Sequence, residues 1–349
     1  MDYGYINARM RGMKSRLLSH HALDDLIARP DLESLITDLE NTPYKDEIIE
    51  AKGQLEGVLC IEYALRRNFT KTFRKIQAFA KQDEAEQYIV IFLHRWDVQN
   101  IKTILRGKNI HVTNEEIGSC LVPAGEMDEA TLNELLKQPD VRAVIDLLAT
   151  WRVRFSRPLT TAWPEFAKTK DLALLECALD RYYYTDALES VKAPGYNNEI
   201  IRDFLRLVVD VTNIKTVLRM VRDHVSPDDA KRYLIGGGRV FDEQKLWFLL
   251  GMGSIEEVVK ALDGTPYRFL CDIPEPAMRS QKISILEKQL EKYLVKKGVG
   301  AFLLDPLSVS SVIGYFWAKY NEITNIRIIS RCKTADIPLD HLKEELIYV

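Results

Sequence analysis

The sequence predicts an all-α protein of three similar helical lobes, and three observations carry that reading. The segment Asp97-Val98-Gln99-Asn100-Ile101-Lys102-Thr103-Ile104-Leu105-Arg106 returns as Asp210-Val211-Thr212-Asn213-Ile214-Lys215-Thr216-Val217-Leu218-Arg219, and more loosely from Glu322 to Arg331. Its asparagine falls at 100, 213 and 325, a period of 113 and then 112 residues. That period is far longer than the roughly 34 to 47 residues of tetratricopeptide or armadillo arrays. Almost every apolar segment follows a helical period, and Val-rich alternation is short. Units this large group more naturally about a pseudo-threefold axis, as a funnel, than into an open solenoid. The expected lobes are residues 1–110, 111–223 and 224–349 of one subunit.

A chain of 349 residues with 46% hydrophobic content can bury a sizeable core. Its longest apolar stretch, Ala301 to Ala318, is broken by Asp305, Pro306 and serines, short of the roughly 18 to 20 apolar residues of a spanning helix. The opening Met1-Asp2-Tyr3-Gly4-Tyr5 lacks the basic and apolar regions of a secretory signal. A cytosolic protein is expected, and a peripheral seat on a membrane complex stays open. A net charge of −3 and a pI near 6.1 argue against nucleic acid as a main partner. Five scattered cysteines, at 60, 120, 177, 271 and 332, read as reduced thiols. The six histidines show no ligand spacing, so no metal or cofactor is expected.

From Tyr3 to Leu18, Tyr5, Ala8, Met10, Met13 and Leu17 alternate with Arg9, Arg11, Lys14 and Arg16, the pattern of a helix with one basic side. These four cations are either a solvated face or an interface for an acidic partner. A second helix is expected from Asp31 to Leu39, followed by the turn Asn41-Thr42-Pro43-Tyr44, which is echoed as Gly264-Thr265-Pro266-Tyr267. Long helices then carry Glu62, Glu176 and Glu287, which precede the repeated asparagine by 38, 37 and 38 residues.

On the repeated helix, Val98, Ile101, Ile104 and Leu105 share an arc of roughly 120°, with Gln99, Lys102 and Arg106 opposite. Asp97 lies inside that arc and Asn100 at its edge, so both should be partly buried and hydrogen-bonded. Asp97, Asn100, Asp210, Asn213, Glu322 and Asn325 are therefore expected to be polar fixtures of the architecture. The competing reading, a catalytic carboxylate, requires an open pocket. No catalytic residue is assigned.

Eleven residues after each asparagine, His111-Val112-Thr113, His224-Val225-Ser226 and Asp336-Ile337-Pro338 each open another helix. Thr113 with Glu116 and Ser226 with Asp229 have capping-box spacing. Gly236-Gly237-Gly238 lacks the Gly-Lys-Ser/Thr ending of a phosphate loop and reads as a helix-ending turn. The loops around Gly125 and Gly238 are further interface candidates. Trp151 to Pro164 and Pro274-Glu275-Pro276 read as irregular connections.

The opening Tyr5-Ile6-Asn7-Ala8-Arg9-Met10-Arg11-Gly12-Met13-Lys14-Ser15-Arg16-Leu17-Leu18, the Leu39 to Tyr44 turn and the repeated Asn-Ile-Lys segments together carry a resemblance. Along essentially its whole length the chain resembles the C-subunit family of the archaeal and bacterial V/A-type ATPases, whose counterpart in the eukaryotic vacuolar ATPase is the d subunit. The third copy departs most, with Glu322 for Asp, Arg327 for Lys and Ser330 for Leu. The resemblance implies a non-catalytic rotor subunit on the cytoplasmic end of the membrane proteolipid ring. Its hollow would receive the foot of the central axle and pass torque for ATP-linked proton or sodium transport. The implied partners are the axle subunits and the ring, with no nucleic acid, small-molecule substrate or cofactor. The alternative is a generic helical scaffold unrelated to ion transport, which co-purification would separate.

Overall fold

The computed structural model describes residues 3–81, 84–274, 283–335 and 337–349. Asp336, and Glu275-Pro276 of the expected irregular connection, lie outside the described residues. Among the described residues every regular element is a helix. The chain divides into two compact units, residues 1–138 with 295–349 and residues 139–294. The repeated segment lies on the Ala85–Asn109 and Ser310–Thr334 helices of the first unit and on the Tyr196–Arg222 helix of the second.

These helices are long because their apolar stripes are covered along their length. Ile101, Ile104, Leu105, Ile214, Val217, Leu218, Ile326 and Ile329 have no exposed surface. Burial of one such side chain contributes about 1.5–3 kcal/mol. The burial extends beyond the stripe: Lys102, expected on the polar side with Gln99 and Arg106, is 8% exposed. Its neighbours cover it, which a period count on one isolated helix cannot register. In the first unit the Gly57–Ala80 helix packs on Ser310–Thr334 through Phe73 and Phe316, their ring centroids 4.2 Å apart. Phe69 meets Trp96 edge-on at 4.6 Å.

Helix starts recur in register. Asp128 accepts from Thr131 N–H at 2.8 Å and Asp242 from Lys245 N–H at 2.9 Å. Twelve residues after each comes another cap: Asp140 accepts from Ala143 N–H at 2.9 Å and Ser254 from Glu257 N–H at 3.2 Å. The same pair of caps, again twelve residues apart, occurs near the start of the chain. There Ser19 accepts from Ala22 N–H at 3.2 Å and Asp31 from Ser34 N–H at 2.8 Å. Each such cap is worth about 1 kcal/mol.

Helix ends recur as well. Val112 N–H reaches Gly107 O at 2.9 Å, Val225 N–H reaches Met220 O at 3.0 Å and Ile337 N–H reaches Cys332 O at 3.0 Å. This is the closing bond of a Schellman turn. His111 and His224 take its left-handed position, at φ 58° and 52°, where glycine is usual. Thr113 and Glu116 form the expected capping box. Ser226 caps Asp229 N–H at 3.2 Å, and the shorter Asp229 carboxylate accepts from the Ser226 hydroxyl at 2.7 Å.

Two expectations are corrected. Residues Ser156–Thr169 are helical although Pro164 lies inside. Leu159 and Phe166 bury one face, and Trp163 lies 5.0 Å from the Arg142 guanidinium, so packing outweighs the backbone bond that proline removes. The glycine triplet does not end a helix. A 3₁₀ turn closes at Tyr233, and Gly236–Gly238 run on as an irregular loop.

Candidate functional site

Each repeated helix carries an asparagine that binds both polar groups of one loop residue 22 positions later. Asn100 Nδ2 donates to Val122 O at 2.7 Å, and its Oδ1 accepts from Val122 N–H at 2.8 Å. Asn213 holds Ile235 in the same way at 2.7 and 2.9 Å, and Asn325 holds Ile347 at 2.9 and 3.1 Å. All three asparagines are at most 1% exposed. A side-chain amide sets a donor beside an acceptor, so it can satisfy a buried backbone residue that has no helix or strand partner.

The carboxylate three residues earlier holds the next part of each loop. Asp97 accepts from Glu126 N–H at 2.9 Å and Met127 N–H at 3.0 Å. Asp210 accepts from Val240 N–H at 2.8 Å, Phe241 N–H at 3.3 Å and the Tyr267 hydroxyl at 3.1 Å. Glu322 takes its partners from the start of the chain: Leu18 N–H and the Tyr44 hydroxyl, the latter at 2.6 Å, together with Lys319 Nζ at 2.9 Å. Tyr44 and Tyr267 are the tyrosines of the two echoed turns. Thr42 and Thr265 brace those turns identically, donating to Leu39 O and Leu262 O at 2.6 Å.

Burial drives the ionisation of these groups. It raises Asp97 to about 6, against the backbone amides of Met127 and Glu126 and the charge of His94, which favour the carboxylate. Asp210 is also raised by burial, opposed by the amides of Val240 and Phe241 and by Tyr267. Burial and the neighbouring carboxylate hold the Tyr44 and Tyr267 hydroxyls well above their usual range, so both remain protonated donors.

Gly125 and Gly238, singled out as interface candidates, lie against these carboxylates. A Cβ at Gly125 would stand 2.1 Å from Asp97 Oδ1, and one at Gly238 would stand 2.3 Å from Asp210 Oδ1. Both loops need a residue without a side chain where they cross the carboxylate.

Arg9, Arg11, Lys14 and Arg16 are exposed, the first three on the Tyr3–Lys14 helix and Arg16 in the turn after it. Arg9 lies 4.9 Å from the Phe79 ring, Lys14 Nζ 4.1 Å from the Phe302 ring, and Arg11 donates to Phe302 O at 3.4 Å. The candidates thus separate into buried clamps, which bring Asp97 to Gly125 and Asp210 to Gly238, and a basic surface helix.

His94, Asp97 and Glu126 each bring a possible metal-ligand atom within 4.8 Å of the others. Both Asp97 oxygens already accept backbone N–H groups, and His94 Nε2 lies 2.9 Å from Glu126 Oε1. Leu207 and Lys319 stand in the place of His94 before the other two carboxylates, so the set is not repeated. Those contacts engage all three residues.

Sequence reading missed an aromatic recess of about 270 Å³ in the first unit, walled by Phe69, Trp96, Phe316, Trp317 and Tyr320 with Arg95 beside them. Arg95 is exposed and lies 5.4 Å from the Trp317 ring. The available signal was Trp96, adjacent to Asp97, and the i, i+3 pair Trp317 and Tyr320.

The sequence model of the ATP synthase (C/AC39) subunit matches residues 6–345. The C subunit of the A-type ATP synthase of Methanocaldococcus jannaschii is 28% identical over 346 residues, covering 99% of this chain and 86% of that protein. Its counterpart in Methanococcoides burtonii is 29% identical over 351 residues, covering 99% and 94%. That of Archaeoglobus fulgidus is 28% identical over 347 residues, covering 99% and 96%. Among the described residues no helix is long and apolar enough to cross a membrane. The family is a structural component of the synthase, distinct from the catalytic one. With a match over nearly its full length, the chain belongs to the ATP synthase (C/AC39) subunit family.

Proposed function

We propose that this protein is the socket between the central axle and the membrane proteolipid ring of a V/A-type ATPase. It is a funnel of three helical lobes, peripheral on the cytoplasmic face, that turns with the rotor and transmits torque for proton or sodium transport. The observation that carries this reading is the family match along residues 6–345. A torque-bearing socket needs rigid walls, and the buried clamps supply a reason for rigidity: each loop is tied to its helix by a pair of hydrogen bonds from one buried amide. The repeat is cyclic in this reading. The part of the third lobe that follows its motif helix is supplied by the start of the chain, in support of which Ser19, Asp31 and Tyr44 occupy the places of Asp242, Ser254 and Tyr267.

The basic helix and the aromatic recess are the contact surfaces of this proposal, since arginine, tryptophan and tyrosine are the residues that most often anchor protein interfaces. Exchanging Arg11 and Lys14 for glutamate should weaken attachment to axle or ring about tenfold while leaving the isolated chain folded. Co-purification with those subunits, beside a melting curve, reads both effects. Unchanged assembly rejects the assignment of this helix.

A further inference from the structure

We infer that the junction between the two ends of the chain is a binding site for an anionic single-chain lipid. At that junction Ile347 is held by Asn325, and Leu18 N–H serves Glu322 as Phe241 N–H serves Asp210. In the second unit one continuous loop runs from Ile235 to Phe241 between the corresponding bonds. Here the two bonds are made by segments from opposite ends of the sequence, and a cavity of about 570 Å³ is lined by both. This volume falls in the range of small-molecule pockets, about 300–1,000 Å³.

The lining defines the ligand. Leu17, Leu23, Phe302, Leu303, Ile347 and Val349 give an apolar wall. It continues outward into an exposed edge at Leu303, Leu304 and Leu307, which are 89%, 54% and 66% exposed. Lys14 and Lys296, also in the lining, are exposed and form no ion pair among the described residues. Asn321, 5% exposed, gives its Nδ2 hydrogen to Ile347 O at 2.9 Å and so fixes the Ile347 side of the cavity. Glu322 also lines the cavity, with its charge matched by Lys319. The ligand therefore combines an apolar chain for the wall with an anion for the two lysines. A lysophosphatidylglycerol has both.

Lys14 also belongs to the basic helix assigned to assembly, so lipid binding is read on the isolated full-length chain, where its failure and a failure of assembly are distinguishable. Titration calorimetry with lysophosphatidylglycerol below its micelle concentration should give one saturable site. Lys14→Glu with Lys296→Glu should weaken it at least about tenfold, through two surface charges. The same variant should leave an uncharged monoacylglycerol unaffected. Glycerol phosphate, lacking the chain, should bind at least about a hundredfold more weakly. The inference is overturned by no saturable binding, by affinity that ignores the lysine variant in a chain with an unchanged melting curve, or by glycerol phosphate binding as tightly as the lipid.

Discussion

Asn213 serves both polar groups of Ile235, its amide setting a donor beside an acceptor out of water. Asn213→Ala should cost about 2–4 kcal/mol, from two lost bonds and two unsatisfied groups. Asn213→Asp should cost at least as much, because a carboxylate oxygen would face the Ile235 carbonyl; guanidinium unfolding of both variants checks the pair. At Gly238 the added methyl of alanine would lie 2.3 Å from Asp210 Oδ1 and 2.7 Å from Phe241 O. Gly238→Ala should cost about 1–3 kcal/mol, and Gly236→Ala, with open space around its Cβ, much less. Asp97 gives a pH signature. Burial raises it from 3.8 to about 6, so the folded state holds its proton more tightly than the unfolded one. Its contribution is full below 3.8 and is lost as pH rises through about 6. The stability of the wild type relative to Asp97→Asn should therefore fall by roughly 2 kcal/mol between pH 4 and 7, measured as paired unfolding midpoints.

The Ser310–Thr334 helix shows what a single element owes to distant sequence. It packs against Tyr3–Lys14, His20–Ala28, Leu32–Leu39 and Gly57–Ala80. Glu62 binds Arg327 Nε at 2.8 and 3.0 Å and Arg331 Nη2 at 2.9 Å. In the second unit the matching cations, Lys215 and Arg219, meet Glu291 and Glu287 at 2.7 and 2.6 Å. The buried Lys319–Glu322–Tyr44 group ties the chain start to the chain end. Tyr44→Phe removes two hydrogen bonds to charged groups, one donated to Glu322 and one accepted from Lys319, and should cost about 3 kcal/mol or more. Glu322→Gln leaves Lys319 buried without its counter-charge and should cost about 3–5 kcal/mol. Hydrogen exchange should show both variants loosening residues 18–44 before the second unit.

At the scale of the whole molecule, the first eighteen residues act at a distance of three hundred in sequence. Their removal exposes the surface covered by Tyr3, Ile6 and Met10, which are at most 6% exposed. It also removes the Leu18 N–H from Glu322. A chain starting at Ser19 should be destabilised by roughly 5 kcal/mol or more, visible in a thermal melt. A loss below about 1 kcal/mol would sink the view that the start of the chain completes the last repeat.

The sequence alone determined the helical class, the repeat and which polar residues mark it, because helical period and spacing are local and recur at fixed intervals. It placed Asp97 and Asn100 against the apolar stripe, where the structure buries them to 1% exposure. Their partners were illegible. Val122, Met127 and Ile347 contribute backbone groups, which carry no residue-type signal. Lys102 and the Ser156–Thr169 helix were misread for a related reason: covering and packing by other elements outweighed local pattern. Only the tertiary structure decided that the loops cross over the carboxylates at Gly125 and Gly238, and that Glu322 turns to Leu18 and Tyr44. Those contacts depend on which surfaces meet in space, and a period along the chain fixes the parts without fixing that meeting.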